Sequence, residues 1–156
     1  MLRRTLVPHM WLIFFDGTLA LSEKYFLFSQ NVHLLFYFYC MNIETLREYC
    51  LSKKGATEGF PFGESTLVFK VLDKIFLLVA LDASPLQFNA KSDPGKAIEL
   101  RDQYDAVKPG YHMNKKHWNT VIIDGSVSQK LLKEMIDDSY ALIVQSLPKK
   151  EREKLI

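Results

Sequence analysis

Two apolar, β-branched segments separated by only two residues constrain this chain more than any other feature. Thr66–Val71 and Lys74–Leu81 have the composition of strands, and Leu72-Asp73 between them leaves room for a tight hairpin and nothing longer. The two segments must therefore pair as antiparallel neighbours. The second, Ile75-Phe-Leu-Leu-Val-Ala-Leu81, is apolar at every position, so neither of its faces suits water and a central, covered strand is predicted. Leu86-Gln-Phe-Asn-Ala-Lys91 then alternates, with Leu86, Phe88 and Ala90 predicted inward and Gln87, Asn89 and Lys91 outward.

Helix signals bracket these strands. Asn42 suits an N-cap, and Ile43, Leu46, Tyr49 and Cys50 fall on one face of the helix it opens, with Gly55 as its stop. Asp93-Pro94 supplies a cap and a first-turn proline ahead of Ala97, Leu100, Arg101 and Tyr104. Gly59–Gly63 reads as a connector and Pro109-Gly110 as a turn. Tyr111–Met113 and Trp118–Ile123 then read as short strands on either side of Asn114–His117. Ser126 and Gln129 have the spacing of a capping box for a last helix, which carries the apolar stripe Leu132, Met135, Ile136, Ile143 and Leu147 and stops at Pro148. Lys149–Lys154 reads as a solvated tail. The resulting order, α-β-β-β-α-β-β-α, predicts an α+β domain with an antiparallel sheet and helices on one face. Leu67, Phe69, Phe76, Leu78, Leu100, Trp118, Ile122, Ile136 and Tyr140 are expected to share one core.

The first forty residues lack this patterning. Met10–Phe15 and Val32–Cys40 are apolar runs, both far short of the roughly 20 residues a spanning helix needs. Arg3 and Arg4 precede an apolar stretch as in an export signal, yet Asp16 breaks that stretch and no small-residue cleavage site follows. A membrane-directing peptide, an extra helix on the domain, and an upstream extension of a protein starting at Met41 are the three readings. The composition break at Met41 favours the third, so residues 1–40 are expected to be dispensable and 41–156 to form the domain. Cys40 and Cys50 make no disulfide framework, which suits a reduced, cytoplasmic setting.

The Pro61-Phe-Gly63, Leu67-Val-Phe-Lys-Val71, Lys74-Ile-Phe76, Leu100-Arg101 and Tyr104 positions are followed by a long, chemically unusual stretch. It runs Pro109-Gly-Tyr-His-Met-Asn-Lys-Lys-His-Trp-Asn-Thr-Val121, and Ser139-Tyr140 comes after it. Together these residues resemble the MmcQ/YjbR family from residue 41 to about 155. The resemblance implies a fold likened to CyaY and to secretion chaperones, a bacterial cytoplasmic setting, and DNA binding through two hairpin wings. The family commonly turns its first hairpin with glycine, where this chain has Leu72-Asp73. Aspartate tolerates left-handed backbone, so the hairpin is expected to survive.

On that reading Lys70 and Lys74 flank one wing tip, and Asn114, Lys115, Lys116 and His117 form the other. Their ammonium groups would meet phosphates, with hydrogen-bond donors beside them. Lysines also decorate hairpin tips simply because tips are solvated. Residues 41–156 hold 17 Lys+Arg against 16 Asp+Glu, so any DNA affinity has to come from local clustering. The expected partner is double-stranded DNA, gripped without catalysis by a monomer whose two tips face one side within about 12–20 Å, the scale of the major groove. The alternative is a protein-interaction or chaperone-like adaptor holding a partner segment on the sheet or on an apolar helix face. An enzyme whose site assembles only in three dimensions is a third reading.

Other residues point to packing rather than chemistry. Trp118, Tyr104, Tyr111 and Tyr140 read as packing aromatics. His112 and His117 lack a third donor for a metal, and Glu44 and Glu48 are interspersed with Arg47, Lys53 and Lys54 rather than forming an acidic ridge. No nucleophile elbow or phosphate-binding loop occurs, and Cys50 reads as a buried, inert thiol. No cofactor, metal or membrane is expected as a partner.

Overall fold

A computed structural model describes residues 41–155, so the expectations for residues 1–40 lie outside them. Six strands form one sheet: β1 (Ala56–Gly59), β2 (Thr66–Val71), β3 (Lys74–Ala80), β4 (Gln87–Lys91), β5 (Val107–Pro109) and β6 (Trp118–Ile122). Their order across the sheet is β1-β2-β3-β4-β6-β5, with every neighbouring pair antiparallel. Four helices accompany it among the described residues: α1 (Ile43–Leu51), α2 (Pro94–Gln103), α3 (Gln129–Gln145) and the short α4 (Lys149–Glu153). The α+β class and antiparallel sheet follow the sequence expectation.

The core lies between one sheet face and the helices. Phe69, Leu77, Phe88 and Val121 from the sheet pack with Leu46 of α1, Leu100 of α2 and Ile136 of α3. β3 is buried continuously from Phe76 to Val79, as its uninterrupted apolar run requires. A bulge shifts the β2–β3 register, pairing Phe69 with Leu77 but Lys70 with Ile75. Phe76 is the extra residue, and it turns its ring against Phe69 and edge-on to Tyr140. Of the expected core, Leu67, Phe69, Phe76, Leu100 and Ile136 lie in the main cluster, and Ile122 and Tyr140 pack against it. Leu78 is buried beside Val68 on the other face of the sheet. Trp118 is half-buried and stands outside the cluster, a correction to its role as core anchor.

The caps at Asn42 and Asp93 form as expected: Thr45 N–H donates to Asn42 Oδ1 at 2.9 Å, and Gly95 N–H to Asp93 Oδ1 at 2.9 Å. Four boundaries differ from the sequence reading. Ala56–Gly59 pairs with β2 as an additional edge strand. The strand before the long loop is Val107–Pro109 rather than Tyr111–Met113, because Gly110 N–H closes onto Trp118 O at 2.8 Å and the chain then turns. Pro109 is acceptable there because β5 is an edge strand and needs no donor from it. Ser128 caps α3, accepting from Leu131 N–H, while Ser126 is held instead by the Asp124 carboxylate through both N–H and O–H. Lys149–Glu153 is mostly exposed, as expected of the tail, but is wound into a short helix.

Candidate nucleic-acid interface

Strand direction decides where the two hairpin tips fall. β2 runs towards Leu72-Asp73 and β3 returns from it; β5 runs towards Gly110 and β6 returns from Trp118. Lys91 at the end of β4 pairs with Trp118 at the start of β6, so the 72–73 turn and the 110–117 loop occupy the same end of the sheet, here the wing end. Three inter-strand steps separate them across β3, β4 and β6, which is about 14 Å at the usual strand spacing.

The first tip is tight. Leu72 and Asp73 both take positive φ, 45° and 64°, matching the twist that two-residue hairpins prefer. Lys70 and Lys74 diverge from it. Lys70 alternates with the core residues Phe69 and Val71, so it lies on the sheet face away from the helices, half-buried. Lys74 is exposed but reaches the end of α3, donating from Nζ to Ser146 O at 3.1 Å. A cation there satisfies a terminal carbonyl and complements the negative end of the helix. Lys74 is therefore restrained rather than free to swing into solvent.

The second tip is two turns in succession. Met113 N–H closes on Gly110 O, and His117 and Trp118 N–H both close on Asn114 O at 3.0 Å. Asn114 Oδ1 accepts from Lys116 N–H at 3.0 Å, so Asn114 shapes the turn that raises Lys115 and Lys116 into solvent. His117 is half-buried, its carbonyl receiving Ser92 N–H at 2.8 Å. Gly110 sits so close to Trp118 that a Cβ would come within 2.8 Å of the Trp118 Cβ and 2.9 Å of its carbonyl oxygen. Arg101 of α2 ties the loop down: Nε donates to Asn119 Oδ1 at 2.7 Å, and one terminal nitrogen reaches the carbonyls of Lys115 and Trp118. This brace was not anticipated from the sequence, where Arg101 only marked helical spacing. Tyr111 is a further surprise, being 72% exposed rather than packed.

Charge is segregated between the two ends of the sheet. The four connections at the far end, 60–65, 81–86, 104–106 and 123–128, each carry one carboxylate (Glu64, Asp82, Asp105 and Asp124) and no lysine or arginine. At the wing end stand Lys54, Lys70, Lys74, Lys91, Lys115 and Lys116, with Asp73 and Asp93 in the adjoining turns. Helix α4, whose following Leu155 lies against Gly55, adds Glu151 and Glu153 there among further lysines and an arginine. Lys115 and Lys116 form no ion pair among the described residues. Lys53 is spent internally: it pairs with Asp137, which also accepts from Tyr49 O–H, and its Nζ lies 3.9 Å from the Tyr49 ring centroid. Burial lowers the Lys53 affinity for its proton, but Asp137 and Tyr49 together outweigh that and leave it raised. Burial pushes Cys50 up to about 12, the state of an inert thiol.

Among the described residues no group of three or more His, Cys, Asp or Glu converges as a metal site, and no helix is long and apolar enough to cross a membrane. Residues 51–142 match the YjbR family model. The uncharacterised protein YbdF of Escherichia coli O157:H7 is 38% identical over 112 residues, 72% of this chain and 92% of its own length. The uncharacterised protein YjbR of Escherichia coli K12 is 34% identical over 116 residues, 74% of this chain and 98% of its own. Deinococcus radiodurans protein DR2400, whose crystal structure carries a DUF419 domain, superposes with a TM-score of 0.70 at 39% identity, over 74% of this chain and 88% of that one. A Pseudomonas syringae protein gives 0.58 at 26% identity, over 65% of this chain and 98% of its own. With residues 51–142 matching the family model and relatives 34–38% identical over nearly their whole length, the chain belongs to the YjbR family.

Proposed function

We propose that the domain is a non-enzymatic DNA-binding module that sets its two wing tips against the phosphates of one duplex. The observation that carries this reading is the shared placement of both tips and a cluster of lysines at one end of a domain that is nearly neutral overall. A spacing of about 14 Å between tips is comparable to the roughly 12 Å major groove. Lys115 and Lys116 are the principal phosphate contacts, Lys70 and the restrained Lys74 serve the other tip, and Asn114 and His117 shape and flank the second.

The test is anisotropy of a labelled duplex across a salt series, with wild type and K115E/K116E. Wild-type affinity should fall as salt rises, and the double variant should bind every sequence about tenfold or more weakly, with a salt slope shallower by about two. Its thermal melt should match wild type, because both side chains are exposed. Salt-independent binding, or none at low salt, would end the reading.

One observation favours the protein-partner alternative. Phe60, Phe62 and Leu81 are 52%, 62% and 38% exposed, and all three belong to connections at the far end. A partner docking there would be lost in F60S/F62S and unaffected by K115E/K116E.

A further inference from the structure

The 110–117 loop presents something that phosphate contact does not use. Tyr111 is 72% exposed, and its ring lies against His112 with centroids 4.0 Å apart. Exposed aromatics are commonly mobile, but this one is mounted on fixed backbone. Tyr111 N–H donates to Thr120 Oγ1 at 3.0 Å, and that hydroxyl in turn donates to Asn89 Oδ1 at 2.6 Å, so the residue is tied through β6 to β4. Gly110 before it is wedged against Trp118, and Arg101 holds the loop's other limb. His112 takes φ +54°, a conformation uncommon for a residue with a Cβ and one that persists where the surroundings impose it. The loop thus holds two rings out into solvent, three and four residues ahead of the Lys115-Lys116 pair, at little further cost in order.

We infer that Tyr111, backed by His112, is a stacking platform for an unpaired base, and that the preferred ligand is DNA carrying an unstacked or unpaired nucleotide rather than an intact duplex. The inference rests on the DNA-binding reading above and adds the class of substrate. Any base offers a π-face, so a platform of this kind gains affinity without reading sequence, and it gains most where no unstacking has to be paid for. The lysines of the same loop hold the flanking phosphates while the ring takes the base.

The test compares an intact 20-base-pair duplex with the same duplex carrying one single-nucleotide bulge, for wild type, Y111A and Y111F. Wild type should bind the bulged duplex about tenfold tighter. Y111F should keep that preference because the ring remains, and Y111A should lose it while retaining the wild-type salt slope on intact duplex. A 2-aminopurine in the bulge should change its fluorescence with wild type and not with Y111A. Equal affinity of wild type for both duplexes, or a preference that survives in Y111A, overturns the platform while leaving the phosphate reading standing. Absence of salt-dependent binding to either duplex overturns both.

Discussion

Ser139 explains at the scale of a single residue why a hydroxyl sits in the middle of an apolar helix stripe. It is fully buried, accepts from Lys91 N–H at 2.7 Å and donates to Phe76 O. The β3 bulge and the end of β4 leave those two backbone groups without a ladder partner, and Ser139 is the partner that α3 supplies. Ser139→Ala should therefore cost about 2–3 kcal/mol in urea unfolding, more than the loss of one exposed bond, and the Lys91 amide should exchange faster. A change below about 0.5 kcal/mol would mean that water replaces the hydroxyl. Cys50 gives the pH-dependent counterpart. Its folded pKa is raised to about 12 by burial, so its contribution to stability is complete below its unfolded value near 9.0 and is lost as pH climbs from there towards 12. Tyr49 and Tyr140, both raised by burial, act in the same direction at higher pH. Unfolding free energies from urea melts at pH 8 to 11 should fall more steeply in wild type than in Cys50→Ala, by up to about 1.4 kcal/mol per pH unit. Parallel curves would mean that the thiol stays exposed to solvent.

The elements were legible from the sequence in proportion to how much of their pattern was local. The β2–β3 hairpin, β4 and the caps of α1 and α2 were readable because alternation, a two-residue turn and an Asp-Pro start need nothing beyond their own neighbours. β1 was not, because Ala56–Gly59 has no apolar run and exists only by pairing with β2. The 110–117 loop was half legible: its lysines and its turn stood out, whereas its brace comes from α2. That brace makes a prediction of its own. Arg101→Lys keeps the charge but cannot supply the guanidinium fork that reaches Asn119, Lys115 O and Trp118 O together. The variant should lose about 1–3 kcal/mol, and amides from His112 to Trp118 should exchange faster while those of β2 and β3 do not. Uniform exchange across the sheet would make Arg101 a general stabiliser rather than a support for this loop. Tyr111 was misread for a related reason: an aromatic in a loop carries no sign in sequence of whether it packs inward, and only the turn at Gly110 sends it out.

At the scale of the whole molecule, the sequence conceals what pairing reveals. A count of 17 basic against 16 acidic residues over 41–156 describes a neutral object, yet strand direction sorts lysines to one end and single carboxylates to each connection at the other. The seven residues of β3 put those ends roughly 23 Å apart at the usual rise per residue. That exceeds the Debye length of about 8 Å at physiological salt, so a ligand at the wing end is screened from the far-end acids. Neutralising three of them in E64Q/D82N/D105N should leave duplex affinity at 0.15 M salt within about twofold of wild type, despite a large change in net charge. At about 0.01 M, where screening extends to roughly 30 Å, the same variant should associate faster. K115Q/K116Q, a smaller change in net charge, should weaken binding at both salts. Stopped-flow association and equilibrium anisotropy at the two salts distinguish these outcomes. If the triple variant tightened binding at 0.15 M as much as the double variant weakened it, total charge would be the determinant, and the segregation of charge between the two ends would carry no function.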